Sequence, residues 1–434
     1  MSVRISRVVA GAAVIVGLMV SGDAATSDVT LSVSGRASAN VSLAASGTFV
    51  AAVWSASAPD GETDIYAAAS RDGGRSFSSP VRVNSIPGDA RVNGEQPPRL
   101  ALKDRSGLPP EIAVVWTTKG TAGSKLLSAA SIDGGRTFQK SALVPGSDAP
   151  GNRGWEAVGV GPGGRFFSVW LDHRKLAPPQ QSQMATEHHH QSGPAATSPG
   201  PGVPKDGVAM AQLSQLYVTS LDGSIAPQGV TGGVCYCCKT ALAAGPKNTL
   251  YLAWRHVYAG NMRDIAFTVS RDGGTSFAAP VRVSEDKWQI EGCPDDGPSM
   301  AVDRQGSVHV VWPSVVSERG GPVKALFHAM TRDGRTFTSR ERIPTEGQAN
   351  HPQLAIDSSG TMAVVWDESG TGTRRLAGAT GRVDSGGRVH FERRSSANDV
   401  GTYPVVASTG TGAWLQAWTS GAPDHSVVRV SPLE

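Results

Sequence analysis

The feature that most constrains this chain is a short motif that recurs four times along its 434 residues. The copies span Ser70–Phe77, Ser131–Phe138, Ser270–Phe277 and Thr331–Phe337, and all share Asp-Gly and a closing Phe. Each copy separates two short apolar runs, which places Asp-Gly where a β-hairpin turns. Glycine supplies positive φ, Asp accepts backbone hydrogen bonds, and Phe anchors the returning strand. The motif predicts a repeat architecture in which these aspartates stabilise turns.

A second mark, an apolar strand ending in tryptophan, gives the number of repeats. It occurs seven times, at Trp54, Trp116, Trp170, Trp254, Trp312, Trp366 and Trp418. Each module reads as a four-stranded meander, and single modules cannot bury their faces alone. The last module shows only three strands, ending at Val427–Val430, while Val29–Val33 has no module of its own. We therefore predict an all-β, seven-bladed β-propeller that the N-terminal strand closes at the edge of the last blade.

The recurring turn resembles the Asp-box, or BNR, repeat of sialidase-like β-propellers, over nearly the whole chain after residue 25. The resemblance implies that the Asp boxes lie on the face opposite the usual ligand site. Sialidases of this kind have six blades, so a six-bladed ring is the alternative to seven. The resemblance also implies an exo-sialidase-like glycoside hydrolase, which binds the substrate carboxylate with three arginines and uses a Tyr nucleophile.

Four residues are candidates for that hydrolase site. Tyr403 begins the first strand of the last blade, where sialidases place their nucleophile, and Arg99, Arg174 and Arg255 lie on the expected ligand face. The Phe-Arg-Ile-Pro motif of sialidases is absent from the first blade. The acidic pairs Asp295-Asp296 and Asp367-Glu368 lie on the same face, and we interpret them as turn-forming or solvated residues.

All four cysteines fall at the starts of the fourth and fifth blades, on the predicted ligand face: Cys235, Cys237, Cys238 and Cys293. In an exported chain they suit two disulfides. Adjacent cysteines pair only with strain, however, and crowded thiolates suit a soft metal, with copper ahead of zinc. Both interpretations stay open. His256 and His351 lie on the same predicted face and are candidate further metal ligands.

The N-terminal residues and the net charge indicate the location and the partners of the protein. Residues 1–25 read as a signal peptide, with Arg4 and Arg7 before a short apolar run, so we expect a periplasmic or secreted protein without stable membrane insertion after cleavage. A net charge of +3 with no basic stripe argues against nucleic acid. Residues 26–434 read as one propeller, interrupted by a disordered insertion at about 176–207 that contains Met184 and His188–His190.

Three functions remain. The first is an exported ligand-binding propeller with a soft-metal site formed by the cysteines, which serves in copper handling or makes the protein a metal-dependent enzyme. The second is an exo-sialidase-like glycoside hydrolase centred on Tyr403. The third is a structural or protein-binding propeller with two disulfides. The expected partner is accordingly a small-molecule, glycan or metal ligand, or a protein in the third case.

Overall fold

The computed structural model describes residues 28–176, 207–290, 292, 294–370, 372–394, 400–410 and 413–433. The expected signal peptide, Cys293 and all but the ends of the expected insertion, with Met184 and His188–His190, lie outside these ranges. No helix in the described ranges is long and apolar enough to cross a membrane.

The described chain forms seven antiparallel sheets of four strands each. The N-terminal strand is β1 (Val29–Leu31). Blade 1 comprises β2 (Ala37–Ser46), β3 (Phe49–Ser57), β4 (Thr63–Ser70) and β5 (Val81–Arg82). Blade 2 comprises β6 (Arg99–Arg105), β7 (Leu108–Gly120), β8 (Gly123–Ser131) and β9 (Ala142–Leu143). Blade 3 comprises β10 (Arg153–Val160), β11 (Phe166–Asp172), β12 (Gln215–Ser220) and β13 (Gln228–Gly232), with a 3-10 turn at Pro162–Gly164 and helix α1 (Gly207–Leu213).

The remaining blades follow the same order. Blade 4 comprises β14 (Ala241–Gly245), β15 (Thr249–Arg255), β16 (Ile265–Ser270) and β17 (Val281–Arg282). Blade 5 comprises β18 (Ser299–Val302), β19 (Val308–Glu318), β20 (Gly321–Thr331) and β21 (Glu341–Arg342). Blade 6 comprises β22 (Gln348–Ile356), β23 (Met362–Ser369), β24 (Arg374–Val383) and β25 (Val389–Arg394). Blade 7 comprises β26 (Thr402–Ser408), β27 (Trp414–Ser420) and β28 (Val427–Pro432), to which β1 adds.

The seven tryptophans mark the second strand of every blade, and all seven are among the largest fully buried side chains. Burying an indole between sheets removes a large apolar area from water, which makes each Trp an anchor of the packing between blades. All seven strands continue past the tryptophan, as in β3, where Trp54 is followed by three further strand residues, so the expectation that these strands end at the tryptophan is wrong. The prediction of a seven-bladed propeller with four-stranded blades is confirmed.

The N-terminal strand closes the ring. In β1, Val29 pairs with Val430 and Leu31 with Val428 of β28. The Leu31 side chain is buried in a cluster that also contains Val41 of blade 1. Closure in this way pairs an edge that would otherwise expose unsatisfied backbone groups. The predicted position of this strand is therefore confirmed.

The Asp-Gly turns are built by hydrogen bonds within each motif. In the first, the Asp72 carboxylate accepts hydrogen bonds from Ser70 Oγ at 2.7 Å, Ser76 N at 3.0 Å and Ser76 Oγ at 2.6 Å. These bonds hold the pKa of Asp72 well below its usual range, and the bond from the Ser76 hydroxyl has the largest effect. Gly73 N donates to Thr48 O at 2.9 Å in the turn between β2 and β3. We call the first strand of each blade its inner strand. The Asp-Gly turns therefore lie on the face opposite the first residues of the inner strands.

Candidate functional site: an axial pocket and a cysteine cluster

Four inner strands contain the same distortion near their first residues. A register shift interrupts the pairing of β10, β2, β22 and β26. At each shift one non-glycine residue adopts positive φ: Asn40 at 60°, Trp155 at 55°, His351 at 54° and Tyr403 at 53°. This conformation is costly for bulky side chains, and such strain is concentrated at functional sites. The distortions therefore point to the axial face opposite the Asp-Gly turns.

Three of these strained residues surround a pocket near the ring axis, which we call the axial pocket. It is lined by residues of blades 1, 2, 4, 6 and 7, or of the turns before them, including Asn40, Glu95, Arg99, Lys239, His351 and Tyr403. The cavity volume of the pocket is about 10 Å³, which is close to the minimum that holds one water molecule. The pocket therefore accepts one small polar group as it stands.

His351 links the two carboxylates of this pocket region. Its Nδ1 lies 2.5 Å from Asp367 Oδ1 and its Nε2 lies 3.0 Å from Glu95 Oε1. Burial disfavours the imidazolium, but Asp367 and Glu95 outweigh burial and raise the pKa of His351 to about 9. His351 is therefore a fixed cation near neutral pH rather than a general base.

Tyr403 stacks on this cation, with ring centroids 4.0 Å apart. Burial, together with the negative charges of Glu95 and Asp367, raises the pKa of Tyr403 far above its usual range. The phenol therefore stays protonated and is available as a hydrogen-bond donor. A Cβ on Gly94 would lie 2.1 Å from the Tyr403 ring, so glycine at position 94 is required for the ring to occupy this place.

Arg99 and Lys239 supply further positive charge to the axial pocket. Arg99 Nε donates to the Glu156 carbonyl oxygen at 3.1 Å, and Lys239 Nζ donates to the Pro352 carbonyl oxygen at 2.9 Å. Burial raises the pKa of the Glu156 carboxyl to about 7. Burial also lowers the pKa of Lys239, although Asp296 opposes this shift. Cations from blades 2 and 4 thus meet at the axis.

The other two predicted arginines are engaged elsewhere. Arg174 contacts the Asp172 carboxylate at 2.7 Å and stacks on Tyr217, 4.0 Å from the ring centroid. The Arg255 guanidinium donates to three backbone carbonyl oxygens, at Asp296, Arg263 and Pro313. Of the four hydrolase candidates, Arg99 and Tyr403 line the axial pocket together, and Arg174 and Arg255 lie outside that lining.

The turn before blade 4 forms a buried cysteine cluster of Cys235, Cys237 and Cys238, whose sulfur atoms all lie within 4.8 Å of one another. The Cys238 thiol donates to Cys235 Sγ at 3.5 Å, and the Cys235 and Cys237 sulfurs are 3.9 Å apart. Cys235 and Cys238 are free thiols, whereas Cys237 is disulfide-bonded. With two of the four cysteines free, the interpretation that the cysteines form two disulfides is wrong.

A buried arginine favours the thiolate form of this cluster. Arg263 Nη1 donates to Cys235 Sγ at 3.1 Å, and its Nη2 has no hydrogen-bond partner among the described residues. The Cys238 hydrogen bond and the Arg263 charge outweigh burial and lower the pKa of Cys235 to about 7. Burial raises the pKa of Cys238. One thiol of the cluster is thus ready to ionise near neutral pH.

The two histidines predicted as ligands do not belong to the group of described side chains close enough to share a metal ion with these cysteines. His256 Nδ1 accepts a hydrogen bond from Trp254 Nε1 at 3.4 Å, and its ring packs on Tyr258. Burial and Arg282 lower the pKa of His256 to about 4. His351 is held by its two carboxylates in the axial pocket.

Asp296 contacts the cysteine cluster through a backbone hydrogen bond with Cys238, and it contacts the axial pocket through its carboxylate. Its carbonyl oxygen accepts from Arg255, and its carboxylate accepts from His351 N at 2.9 Å and pairs with Lys324 at 3.1 Å. Asp296 and Asp367 are fully buried, which corrects their interpretation as turn-forming or solvated residues. They are buried because each is paired with cations.

Glu95 is the functional residue that the sequence reasoning missed. A signal was present in the dipeptides Gln96-Pro97, His351-Pro352 and Tyr403-Pro404, each located at the start of an inner strand or just before it. Aligning the three places Glu95 next to the same axial position in blade 2. The X-Pro pair thus marks His351 and Tyr403 directly, whereas in blade 2 the lining residue is Glu95, one position before Gln96.

Comparison with known proteins supports the fold. No family model and no curated protein matches the sequence. A polysaccharide lyase of family PL25, an ulvan lyase bound to -[GlcA(1-4)Rha3S]-, is 10% identical with a TM-score of 0.52, over 93% of this chain and 96% of that chain. The NanB sialidase from Streptococcus pneumoniae is 11% identical with a TM-score of 0.46, over 94% of this chain and 70% of that chain. The similarity of this chain to the lyase is one of fold.

Proposed function

We propose that this protein is an exported, sialidase-like Asp-box propeller that binds a soft metal ion through Cys235, Cys237 and Cys238. The observation that carries the proposal is the approach of three buried sulfur atoms to within 4.8 Å of one another. Thiolates at this spacing suit Cu(I) and Zn(II). Cys237 is disulfide-bonded, so the form that binds the metal through all three sulfurs is the reduced protein.

Charge favours Cu(I) over Zn(II) at this cluster. Three thiolates with Cu(I) carry a net charge of about −2, and with Zn(II) about −1. Two buried arginines, Arg263 and Arg255, lower the pKa of Cys235 through their positive charge. These two cations offset the charge of the Cu(I) complex more closely than that of the Zn(II) complex, and an uncompensated buried charge is costly.

Metal titration of the reduced protein, purified without a His tag, tests this proposal. We expect one equivalent of Cu(I) to bind against a chromophoric chelator, with weaker Zn(II) binding. Cys237→Ser should abolish the stoichiometric Cu(I) binding while the melting temperature stays close to that of the wild type. His256→Gln is the matched control, since His256 lies outside the cysteine cluster, and it should bind like the wild type. Wild-type protein that binds neither ion would refute the proposal.

An exo-sialidase-like hydrolase is the second candidate, because Tyr403 and Arg99 line one pocket with Glu95 beside them. Release of a fluorophore from a sialoside tests it, and Tyr403→Phe should remove that activity. A structural or protein-binding propeller is the third candidate. Because Cys235 and Cys238 are free thiols, the four cysteines form at most one disulfide, not the two expected from the sequence. The metal titration separates this candidate from the first, since a purely structural propeller binds no stoichiometric metal ion. Cell fractionation tests the expected periplasmic or secreted location.

A further inference from the structure

The cysteine cluster holds two free thiols against a sulfur atom that belongs to a disulfide. Cys235 and Cys238 are free, whereas Cys237 is disulfide-bonded. The chain has four cysteines, so by elimination the sulfur bonded to Cys237 is that of Cys293. Cys293 lies outside the described residues and matters below only as the sulfur that leaves. A free thiol beside a disulfide is the starting arrangement for thiol–disulfide exchange.

The distances make Cys235 the attacking group. Its Sγ lies 3.9 Å from Cys237 Sγ, which is within ordinary contact distance. Arg263 Nη1 donates to the Cys235 sulfur at 3.1 Å from a fully buried position. A guanidinium in this place stabilises the thiolate, and the thiolate is the form that attacks a disulfide.

Cys238 lies where it can complete the exchange. Its thiol donates to Cys235 Sγ at 3.5 Å, so it already contacts the sulfur that it would attack in a second step. Two residues separate Cys235 from Cys238, which is the spacing of C-x-x-C redox motifs. The cluster therefore contains both an attacking and a resolving thiol.

Burial restricts this chemistry to the cluster itself. Cys235 and Cys238 are each 1% exposed, and Cys237 is 6% exposed. The disulfide of another protein cannot reach sulfurs at this depth, whereas sulfurs that are already in contact need no access from solvent. The exchange therefore runs within one chain.

We infer that the cysteine cluster is an internal thiol–disulfide exchange centre, in which Cys235 attacks the disulfide of Cys237 and Cys238 resolves the product. In the first step the Cys235 thiolate bonds to Cys237 Sγ, and Cys293 leaves as a thiolate with the electron pair of the broken bond. In the second step the Cys238 sulfur bonds to Cys235 Sγ, and Cys237 leaves as a thiolate. The proton of Cys238 passes to one of the two released sulfurs.

The two steps move two electrons without an external oxidant or reductant. Cys235 and Cys238 are oxidised to a disulfide, while Cys237 and Cys293 are reduced. One disulfide is present before and after, so the protein keeps two free thiols and only their positions change. The exchange requires no metal ion, and its assay in chelators is independent of the metal titration.

Mapping of free thiols in the full-length protein tests the exchange. The reduced protein is oxidised with one equivalent of diamide at neutral pH in the presence of EDTA and bathocuproine, and it is quenched in acid at successive times. It is then unfolded, labelled with N-ethylmaleimide, digested and analysed by mass spectrometry. We expect two populations, one labelled at Cys235 and Cys238 and one at Cys237 and Cys293, whose ratio relaxes to a constant value.

Three variants make the result specific. Cys238→Ser should stop the exchange after its first step, so that label appears on Cys235 and Cys293 but not on Cys237. Cys235→Ser is the matched control, since it removes the attacking sulfur by the same substitution, and its label should stay on Cys238. Arg263→Met should slow the relaxation at least about tenfold, because the Cys235 thiolate loses its buried cation.

Melting curves establish that each variant is folded. Wild-type label confined to Cys235 and Cys238 would overturn the inference. A ratio that stays fixed with time both in the wild type and in the slower Arg263→Met variant would overturn it as well, and so would label on Cys237 in Cys235→Ser.

Discussion

The charge of His351 predicts a specific loss of stability as the pH rises. Its pKa is about 9 in the folded protein and about 6.5 when unfolded, a difference of about 2.5 units. At about 1.4 kcal/mol per unit, the protonated His351 stabilises the folded state by about 3 kcal/mol. Because the folded pKa is the higher one, this stability is fully present below about pH 6.5 and is lost as the pH rises to about 9.

Urea unfolding between about pH 6 and about pH 9 measures this loss, with wild type, His351→Gln and His256→Gln compared. The free energy of unfolding of the wild type should fall by about 3 kcal/mol relative to His351→Gln over this range. Cys235 and Glu156 also titrate there, but they are common to all three proteins and cancel in the difference. His256 has a pKa of about 4 and stays neutral, so His256→Gln should keep the wild-type pH dependence.

The same dependence of unfolding free energy on pH in His351→Gln and wild type would contradict this prediction. That result would mean that Glu95 and Asp367 do not hold His351 in its charged form. A uniform loss of stability in His351→Gln at every pH would point instead to packing against Tyr403.

Further measurements address the turns, the closure and the metal. Asp72→Ala removes three hydrogen bonds at an exposed turn and should cost about 1–2 kcal/mol, lowering the melting temperature by a few degrees without changing ligand affinity; loss of binding without loss of stability would contradict this. Leu31→Ala should destabilise the ring by about 2–4 kcal/mol and speed proteolysis of the N-terminal strand, and an unchanged rate would argue against the closure. Cu(I) affinity should weaken as the pH falls below about 7, because Cys235 must be deprotonated to bind; a constant affinity would exclude its thiolate as a ligand.

The blade count was predictable because its signals are local. A tryptophan within an apolar strand and an Asp-Gly hairpin turn can each be read within a few residues, and so can the spare strand near Val29. The cysteine cluster was predictable in part for the same reason, since Cys235, Cys237 and Cys238 are close in sequence. Their contact with Arg263 was not, because it depends on how the turn before β14 lies against β16.

The sequence could not predict which residues meet in the axial pocket. Glu95 and His351 belong to blades 2 and 6, and their contact exists only because the ring closes at a particular diameter. The roles of the arginines were also hidden, since Arg255 is occupied by backbone carbonyls that leave no mark in the sequence. Asp296 and Asp367 looked like ordinary surface acids, and only the cations around them explain their burial.

Closure by the first strand has a consequence for the order of folding. The residues that Val29–Leu31 pairs with lie about 400 positions further along the chain. At typical synthesis rates of about 5–20 residues per second, β1 waits about 20–80 seconds for its partner strand to emerge. Until then blade 7 is incomplete, so the ring has an open seam between its first and last blades throughout synthesis. The ring of seven blades closes only at the final step, when β1 pairs with β28, the last described strand of the protein.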